Sequence, residues 1–164
     1  MTINPQKYRR ALSCFATGVA VVTTTEDDGS PVGMTISSFN SVSLDPPLVL
    51  WSIAKDARSY ERFVSTRYFA VNVLAMHQKD LSAIFANTGG DKFAGLECGA
   101  GIGGVPILPD YAACFECETE HLYEGGDHTI IVGRVLELED RETDPLIFYR
   151  GRFLRKGGPY PGED

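Results

Sequence analysis

The pattern of apolar and polar residues begins as that of a helix and then changes to that of strands. The segment from Asn4 to about Phe15 starts with Asn-Pro and continues with good helix formers. Proline suits the first helical position, because its missing N–H would be unpaired there in any case. Three β-branched or apolar segments follow and predict strands, at 18–25, 31–43 and 48–54. The third is apolar enough to predict burial of both its faces.

The rest of the chain adds two short helices and four further strands. One helix is predicted at 56–65 with Asp56 as its N-cap, and another at 78–87 with Leu81, Ile84 and Phe85 on one face. The further strands are predicted at 68–75, 111–123, 129–138 and 146–154.

Turns rather than crossover helices connect most of these strands. Turn signals stand at 26–30 and 45–47, and Gly125-Gly126-Asp127 predicts a hairpin turn. A glycine-rich loop covers 88–104. The order of elements predicts a single domain over residues 1–164 that is mainly β with peripheral helices, an antiparallel β-barrel, with a flexible tail at about 155–164.

The composition argues against several classes of protein: nucleic-acid binding, membrane-spanning and disulfide-rich secreted proteins. The 164 residues carry 15 basic and 22 acidic side chains, a net charge of −7, so binding nucleic acid is not expected to be the main activity. No apolar stretch is long enough to cross a bilayer, and the amino terminus lacks the apolar core of a secretory signal. Four cysteines in a chain with a substantial core predict reduced thiols and a cytoplasmic protein rather than a disulfide framework.

Two motifs match known sites only superficially. Gly99, Gly101 and Gly104 have the spacing of a dinucleotide fingerprint, but no buried strand precedes them and Val105-Pro106 cannot open a helix there. Cys114 and Cys117 form a CxxC within alternating residues, and positions three apart in a strand point to opposite faces. The three histidines show no metal-ligand spacing, so no metal is expected.

The segment 33–43 is unusual, because hydroxyl groups occupy both faces of a predicted strand. Buried hydroxyls need hydrogen-bond partners, which a ligand rich in carbonyl and phosphate oxygens would supply. The alternative is a bulged edge strand whose serines bind water. Lys55, Arg58 and Lys92 are candidate phosphate ligands, and each is equally compatible with a solvated surface charge. Asp127-His128, at the predicted hairpin, would place an imidazole at the mouth of the barrel.

Five runs of residues resemble a known family when taken together and in order. They are FATGVAVVTT at 15–24, GMTISSFNSVSLDPPLVL at 33–50, FAVNVL at 69–74, DKF at 91–93 and GDHTIIVGRV at 126–135. The chain thus resembles the flavin reductase family, short-chain NAD(P)H:flavin oxidoreductases that serve as components of two-component flavin monooxygenases. The resemblance implies the FMN-binding split-barrel fold, a homodimer with flavin at or near the subunit interface, and a monooxygenase partner reached by diffusion of reduced flavin.

The resemblance also implies the site residues. Those expected to bind the flavin are Gly33, Met34, Thr35, Ser37 and Ser38 along the ring and ribityl chain, Ser52, Ile53, Ala54, Lys55, Arg58 and Ser59 around the phosphate, and Phe85, Lys92 and Phe93 in a further stretch. His128 matches the histidine beside the flavin ring and nicotinamide, and Thr17 and Gly18 match a strand edge near the same place. Of these, Lys55 and Arg58 lie in a variable stretch of the family.

The implied reaction is hydride transfer from NADH or NADPH to FMN or FAD. It requires no nucleophile, because the two cofactors carry the chemistry and the protein has to stack their rings. Donors facing the flavin N1–C2=O edge, either Thr35 or backbone N–H groups near Ser37, would stabilise the negative charge that develops there. The sequence does not decide between FMN and FAD as the flavin. The lack of a basic cluster that could bind the 2′-phosphate of NADPH favours NADH. Two alternatives are a split-barrel reductase with another acceptor, such as a corrinoid, and a non-catalytic flavin- or haem-binding module.

Overall fold

A computed structural model of the chain describes residues 3–155 and 158–159, which contain three α-helices and thirteen strands. The helices are α1 (Pro5–Leu12), α2 (Tyr60–Ser65) and α3 (Lys79–Ala86). The strands are β1 (Thr17–Gly18), β2 (Ala20–Thr25), β3 (Pro31–Ile36), β4 (Asn40–Leu44), β5 (Pro47–Ala54), β6 (Tyr68–Val73), β7 (Gly99–Ala100), β8 (Pro106–Ile107), β9 (Ala113–Gly125), β10 (His128–Asp140), β11 (Ile147–Tyr149), β12 (Arg152–Arg155) and β13 (Gly158–Pro159).

Seven of the strands form one antiparallel sheet in the order β3-β2-β6-β9-β10-β5-β4. Its two edge strands, β3 and β4, are consecutive in the chain, so the short link between them brings the edges of the sheet together. Ser38, in that link, donates its hydroxyl to the Ser52 carbonyl of β5 at 3.2 Å and accepts from the Ser52 N–H at 3.0 Å. The sheet therefore curls into a barrel, and the prediction of a mainly β fold with peripheral helices is confirmed.

Alternating side chains of these strands fill the inside of the barrel. Trp51 is fully buried between Phe63 of α2 and Phe69 of β6, with ring centroids 5.0 and 6.0 Å away. Burying an aromatic or large aliphatic side chain contributes roughly 1.5–3 kcal/mol, so this interior dominates the stability of the fold. A second cluster, which includes Val21 and Phe85, packs on the outer face of β2 and holds α3 against the barrel.

Several local predictions are confirmed. Pro5 is the first helical residue of α1, as predicted, and the structure adds that Asn4 caps the helix by accepting from the Lys7 N–H at 3.0 Å. The helix ends at Leu12, short of the predicted end near Phe15. Gly126, with φ +79°, makes the turn between β9 and β10. Cys114 and Cys117 belong to different buried clusters, and burial raises the pKa of each thiol to about 12.

Other predicted elements are interrupted or shorter. The strands predicted at 18–25 and 31–43 break at Val19 and at residues 37–39, and the one predicted at 146–154 is a hairpin that turns at Arg150 and Gly151, both with positive φ. The glycine-rich loop at 88–104 also contains β7. Hydrophobic periodicity does not register these breaks, because they depend on the local backbone conformation and not on the polarity of the residues.

Three burial and capping predictions are wrong. Asp56 is not an N-cap, because α2 starts at Tyr60 and Ser59 occupies the cap position without a side-chain hydrogen bond. Ile84 is exposed, since Ser82 and Phe85 form the buried face of α3. The strand β5 is buried on one face only, because the residues that alternate with Val49, Trp51 and Ile53 are exposed or half-buried.

Within the described residues, no helix has both the length and the apolarity required to cross a membrane. The same part of the chain holds no group of three or more His, Cys, Asp or Glu side chains that could bind a metal ion. The tail predicted at about 155–164 lies largely outside the described residues and stays a prediction.

Candidate functional site

Three cavities meet at Thr35 on β3. The first, of about 560 Å³, lies between β3, α3 and the loop that follows α3. The second, of about 240 Å³, lies between β3, α3 and the β11–β12 hairpin. The third, of about 480 Å³, lies between β3, β5 and the β9–β10 turn. Ligand pockets in proteins typically measure about 300–1,000 Å³, so the first and third cavities each have the volume of a ligand pocket.

The predicted site residues gather around two of these cavities. Those that line the first are Gly33, Met34, Thr35, Arg58, Ser59, Phe85, Lys92 and Phe93. Those that line the third are Met34, Thr35, Ser37, Ser38, Ser52, Ala54 and His128. The segment with hydroxyls on both faces therefore forms the wall that the two cavities share.

Lys92 is a partly buried cation without a counter-ion. Its ammonium donates to the carbonyl oxygens of Gly33 at 3.2 Å and Phe85 at 3.0 Å, and no described carboxylate makes an ion pair with it. Burial lowers the pKa of Lys92 from its ordinary value. An ammonium has three N–H donors. Two are occupied, which leaves one for an anion in the first cavity.

Arg58 supplies a second positive charge to the lining of the first cavity. Its Nη1 donates to the carbonyl oxygen of Thr88 at 2.5 Å, and it forms no ion pair with the described carboxylates. The Asp91 carboxylate also lines the cavity, where it accepts from the Phe93 N–H at 3.0 Å. Two unpaired cations in a chain of net charge −7 form a local positive field, which suits a phosphate group.

Gly33 forms part of the lining of the first cavity. A Cβ at Gly33 would stand 2.6 Å from Cε1 of Phe85 and 3.1 Å from Cζ of Phe93. These two rings pack edge to face with centroids 4.9 Å apart. The lack of a side chain at Gly33 therefore lets β3 lie directly against the aromatic pair.

We expect Gly33→Ala to destabilise the protein by roughly 1–3 kcal/mol, because overpacking a filled site forces neighbouring side chains out of place. It should also weaken flavin binding severalfold, since Phe85 can move only toward the cavity or into the core. Thermal unfolding and a flavin titration measure the two effects. Gly89→Ala is the control, because a Cβ there meets no atom within 4 Å. Equal behaviour of the two variants would contradict the packing argument.

His128 stands at the start of β10, on the wall of the third cavity. Its Nδ1 lies 2.7 Å from Oδ1 of Asp127, and this hydrogen bond lowers the pKa of the Asp127 carboxyl. The contact fixes the imidazole ring by one nitrogen and leaves Nε2 available to a ligand. His128 remains half-exposed, so the cavity is open on this side.

The hydroxyl groups of the shared wall are partly satisfied by the protein itself. Thr35 donates its hydroxyl to the Ser82 carbonyl oxygen at 2.7 Å, and Ser38 exchanges two hydrogen bonds with Ser52. Thr35 therefore has no hydroxyl hydrogen left for a ligand, which corrects its suggested donor role. Backbone N–H groups near Ser37 are the remaining candidates for that role.

Four predicted site residues do not line the three cavities. Thr17 and Gly18 pair with β11, and the Ile53 side chain is fully buried in the barrel. Lys55 forms an ion pair with Glu124 on the β9–β10 hairpin. Flavin contacts by these residues stay predictions; for Ile53 only its backbone is available.

Sequence reasoning did not single out some of the lining residues. Asn87 and Thr88 border the first cavity, and Phe148 and Phe153, with centroids 5.3 Å apart, border the second. The run Asn-Thr-Gly-Gly-Asp at 87–91 was a usable signal, because small polar residues after a helix end often approach ligands through their backbone. No sequence signal pointed to Phe148 and Phe153, because they lie far along the chain from β3.

These observations fit a flavin nucleotide. Lys92 and Arg58 suit its phosphate, the polar wall of β3 suits its polyol chain, and the aromatic and aliphatic lining suits a planar ring. The fit rests on the cationic, unpaired Lys92 and on the space at Gly33.

Comparison with known proteins agrees with this fit. A family model described as "Flavin reductase like domain" matches residues 12–157. The chain is 47% identical over 152 residues to "FMN reductase (NADH) SmoA" of Agrobacterium fabrum, covering 93% of this chain and 86% of the relative. It is 43% identical over 152 residues to "Flavin-dependent monooxygenase, reductase subunit HsaB" of Rhodococcus jostii, covering 92% and 77%.

A solved structure has the same fold. It is the Streptomyces globisporus C-1027 NADH:FAD oxidoreductase SgcE6 in complex with NAD and FAD fragments, which matches with a TM-score of 0.88 at 37% identity and covers 100% of this chain and 99% of that one. Some curated relatives are longer, and the chain spans about half of their length, 49% in one and 48% in another.

Proposed function

The chain belongs to the flavin reductase-like domain family, and on that premise we propose that it reduces FMN or FAD with NADH and supplies reduced flavin to a separate monooxygenase. The fold is accordingly the split barrel that the sequence predicted. Relatives with this combination of names, an NADH-dependent FMN reductase and a reductase subunit of a monooxygenase, support the proposal.

The observation that carries the proposal is that Thr35 lines both the first and the third cavity. The cavity with the two cations and the cavity with His128 therefore adjoin the same strand, so one ligand can have its phosphate in the first cavity and its ring beside the third. The third cavity remains accessible past His128, which leaves room for a second planar ring. A site for a single tightly enclosed cofactor would not need that opening.

In this mechanism the residues of the chain bind the flavin and orient the nicotinamide against it. A bound flavin would supply the hydride acceptor and a reduced nicotinamide the hydride, so the protein itself would have to bind and orient the two. Lys92 and Arg58 hold the phosphate and fix the position of the ring along β3. His128, held at Nδ1 by Asp127, orients the nicotinamide through Nε2. Backbone N–H groups near Ser37 stabilise negative charge that develops at the N1–C2=O edge, and the stacked geometry lowers the entropic cost of the transfer.

The proposal includes a homodimer. The outer face of β5 carries Leu50, Ser52 and Ala54, all half-buried, and it adjoins the third cavity. A second copy against this face would close the open side of the cavity. A cytoplasmic location is also part of the proposal, because NADH and reduced thiols belong to that compartment.

Steady-state oxidation of NADH and NADPH with FMN, FAD and riboflavin tests the function. We expect NADH to be oxidised with FMN or FAD, and riboflavin to require a concentration roughly tenfold higher or more, because it lacks the phosphate that Lys92 and Arg58 would bind and a charge-assisted hydrogen bond is worth about 1.5–3 kcal/mol. Equal use of riboflavin and FMN would contradict the proposed phosphate site. If NADH is oxidised with none of the three flavins, the proposed activity is wrong.

A further inference from the structure

The first cavity runs along the open edge of β3. This strand pairs only with β2, and where that pairing begins the Glu26 N–H donates to the Ser30 carbonyl oxygen at 2.8 Å. Residues of an antiparallel strand point their N–H and C=O groups alternately toward and away from the partner strand. Gly33 and Thr35 therefore point theirs to the open edge, where Lys92 donates to the Gly33 carbonyl oxygen.

The helix α3 follows this edge in the direction opposite to β3. Its Ser82 carbonyl oxygen accepts from the Thr35 hydroxyl at 2.7 Å. Phe85, three residues later, lies against Gly33, where a Cβ would stand 2.6 Å from its ring. An advance along α3 is therefore a step back along β3. The segment that follows α3 continues toward the beginning of β3, and both line the cavity.

The two cations consequently lie at different places along the cavity. Lys92 donates to the carbonyl oxygen of Gly33, in the middle of β3. Arg58 donates to the carbonyl oxygen of Thr88, two residues after α3 ends, and is therefore the cation nearer to the beginning of β3. Strand residues are about 3.3 Å apart, so Ser30 lies about 10 Å beyond Gly33.

FMN would occupy only part of this cavity. With the ring placed as proposed above, the ribityl chain covers the distance of about 7 Å from Thr35 to Gly33, and the phosphate reaches Lys92. FMN ends there, whereas the cavity continues to Ser30. We call this continuation the outer part of the first cavity. Its lining residues are Ser30, Pro31, Ala57, Asn87, Thr88 and Gly90.

The outer part has the chemistry of a site for an adenylate group. Pro31 and Ala57 offer apolar surface on which a base can lie. The side-chain amide of Asn87 has both donors and an acceptor for the edge of a base. Arg58 supplies a cation for a second phosphoryl group. These are the groups that FAD has in addition to those of FMN.

NADH also carries an adenylate, but the arrangement of the cavities favours FAD as its source. The third cavity reaches β3 from Met34 onward and includes Ser38, so it extends from Thr35 in the direction away from Gly33. A nicotinamide that enters past His128 would have to carry its adenylate across the flavin to reach the outer part. The phosphate of the flavin already lies next to it.

We propose that the outer part of the first cavity binds the adenylate half of FAD, with Lys92 and Arg58 each binding one phosphoryl group, and that this chain binds FAD in preference to FMN. The inference rests on the proposed function and selects between the two flavins that it allows. Relatives named for FMN and for FAD both occur, so the preference is a property of the individual chain.

Calorimetric titration of the full chain with oxidised FAD and with FMN, both without nicotinamide, tests the preference. We expect the dissociation constant for FAD to be about tenfold to a hundredfold lower, because Arg58 adds a charge-assisted hydrogen bond. Ser30→Trp places a large ring in the outer part and should reduce this ratio to less than about threefold. Ser65→Trp is the control, since Ser65 is also exposed but lines none of the three cavities, and it should keep the wild-type ratio. Circular dichroism checks that both variants are folded.

Equal dissociation constants of the wild type for FAD and FMN overturn the inference, while NADH oxidation with either flavin leaves the proposed function in place. A ratio that Ser30→Trp does not change overturns the position of the adenylate. The KM for NADH, measured with FMN as acceptor, separates the two sources of adenylate. If Ser30→Trp raises this KM and Ser65→Trp does not, the outer part binds the adenylate of the nicotinamide cofactor and the inference is wrong.

Discussion

Replacing Lys92 with methionine will raise the dissociation constant for oxidised FMN roughly tenfold to a hundredfold, since a charge-assisted hydrogen bond is worth about 1.5–3 kcal/mol. Methionine keeps much of the length of the lysine stem and removes the charge. The ammonium of Lys92 has one donor left after its bonds to Gly33 and Phe85, and no carboxylate among the described residues forms an ion pair with it. Quenching of Trp51, the single tryptophan, measures the affinity.

Lys7→Met is the matched control for this prediction. Lys7 is exposed on α1 and lines none of the three cavities, so its loss should change the affinity less than about threefold. Riboflavin provides a second control, because it has no phosphate and should bind the Lys92→Met variant about as well as the wild type. A loss of riboflavin affinity as large as the loss for FMN would mean that Lys92 acts by supporting the wall and not by binding the phosphate.

The second large effect is expected on the rate of the reaction. His128→Ala should slow reduction of bound flavin by NADH about a hundredfold, because loss of orientation at the reacting rings has effects of this size. It should change the affinity for oxidised flavin less than about threefold, since the phosphate site lies in the other cavity. Anaerobic stopped-flow mixing separates the two quantities.

His121→Ala is the control for the rate effect. His121 is exposed on β9, where its ring lies against Tyr123, and it lines none of the three cavities. The variant should therefore react like the wild type. If His128→Ala reduces flavin at the wild-type rate, the orienting role is wrong, and if its affinity falls as far as its rate, His128 is a flavin ligand instead.

Much of the fold could be predicted from the sequence because its strands are strongly patterned. The runs at 68–75 and 129–138 have the apolar content of buried strands. The glycine-containing turn at 125–127 joins β9 to β10 and predicts that these two strands pair antiparallel. The breaks at 37–39 and 150–151 could not be predicted. At Arg150 the backbone has φ +48°, a conformation that is uncommon for residues other than glycine and that the presence of an arginine does not predict.

Some features of the candidate site could likewise be predicted from the sequence and others could not. The strand β3 and Lys92 could be proposed from hydroxyl density and from the family resemblance, since both signals lie within short runs. The second cavity could not, because it forms only when the β11–β12 hairpin brings Phe148 and Phe153 next to Val19 and α3. The hydrogen bond from Thr35 to Ser82 also depends on a contact across 47 positions of the chain, which local patterns do not encode.

The most direct test is anaerobic addition of NADH to the protein loaded with FMN or FAD, followed by the visible absorbance of the flavin. We expect the absorbance to bleach within the mixing and turnover time, in proportion to the NADH added, and to return when air is admitted. An absorbance that stays constant with both flavins, while the flavin is demonstrably bound, would show that the protein only holds the nucleotide.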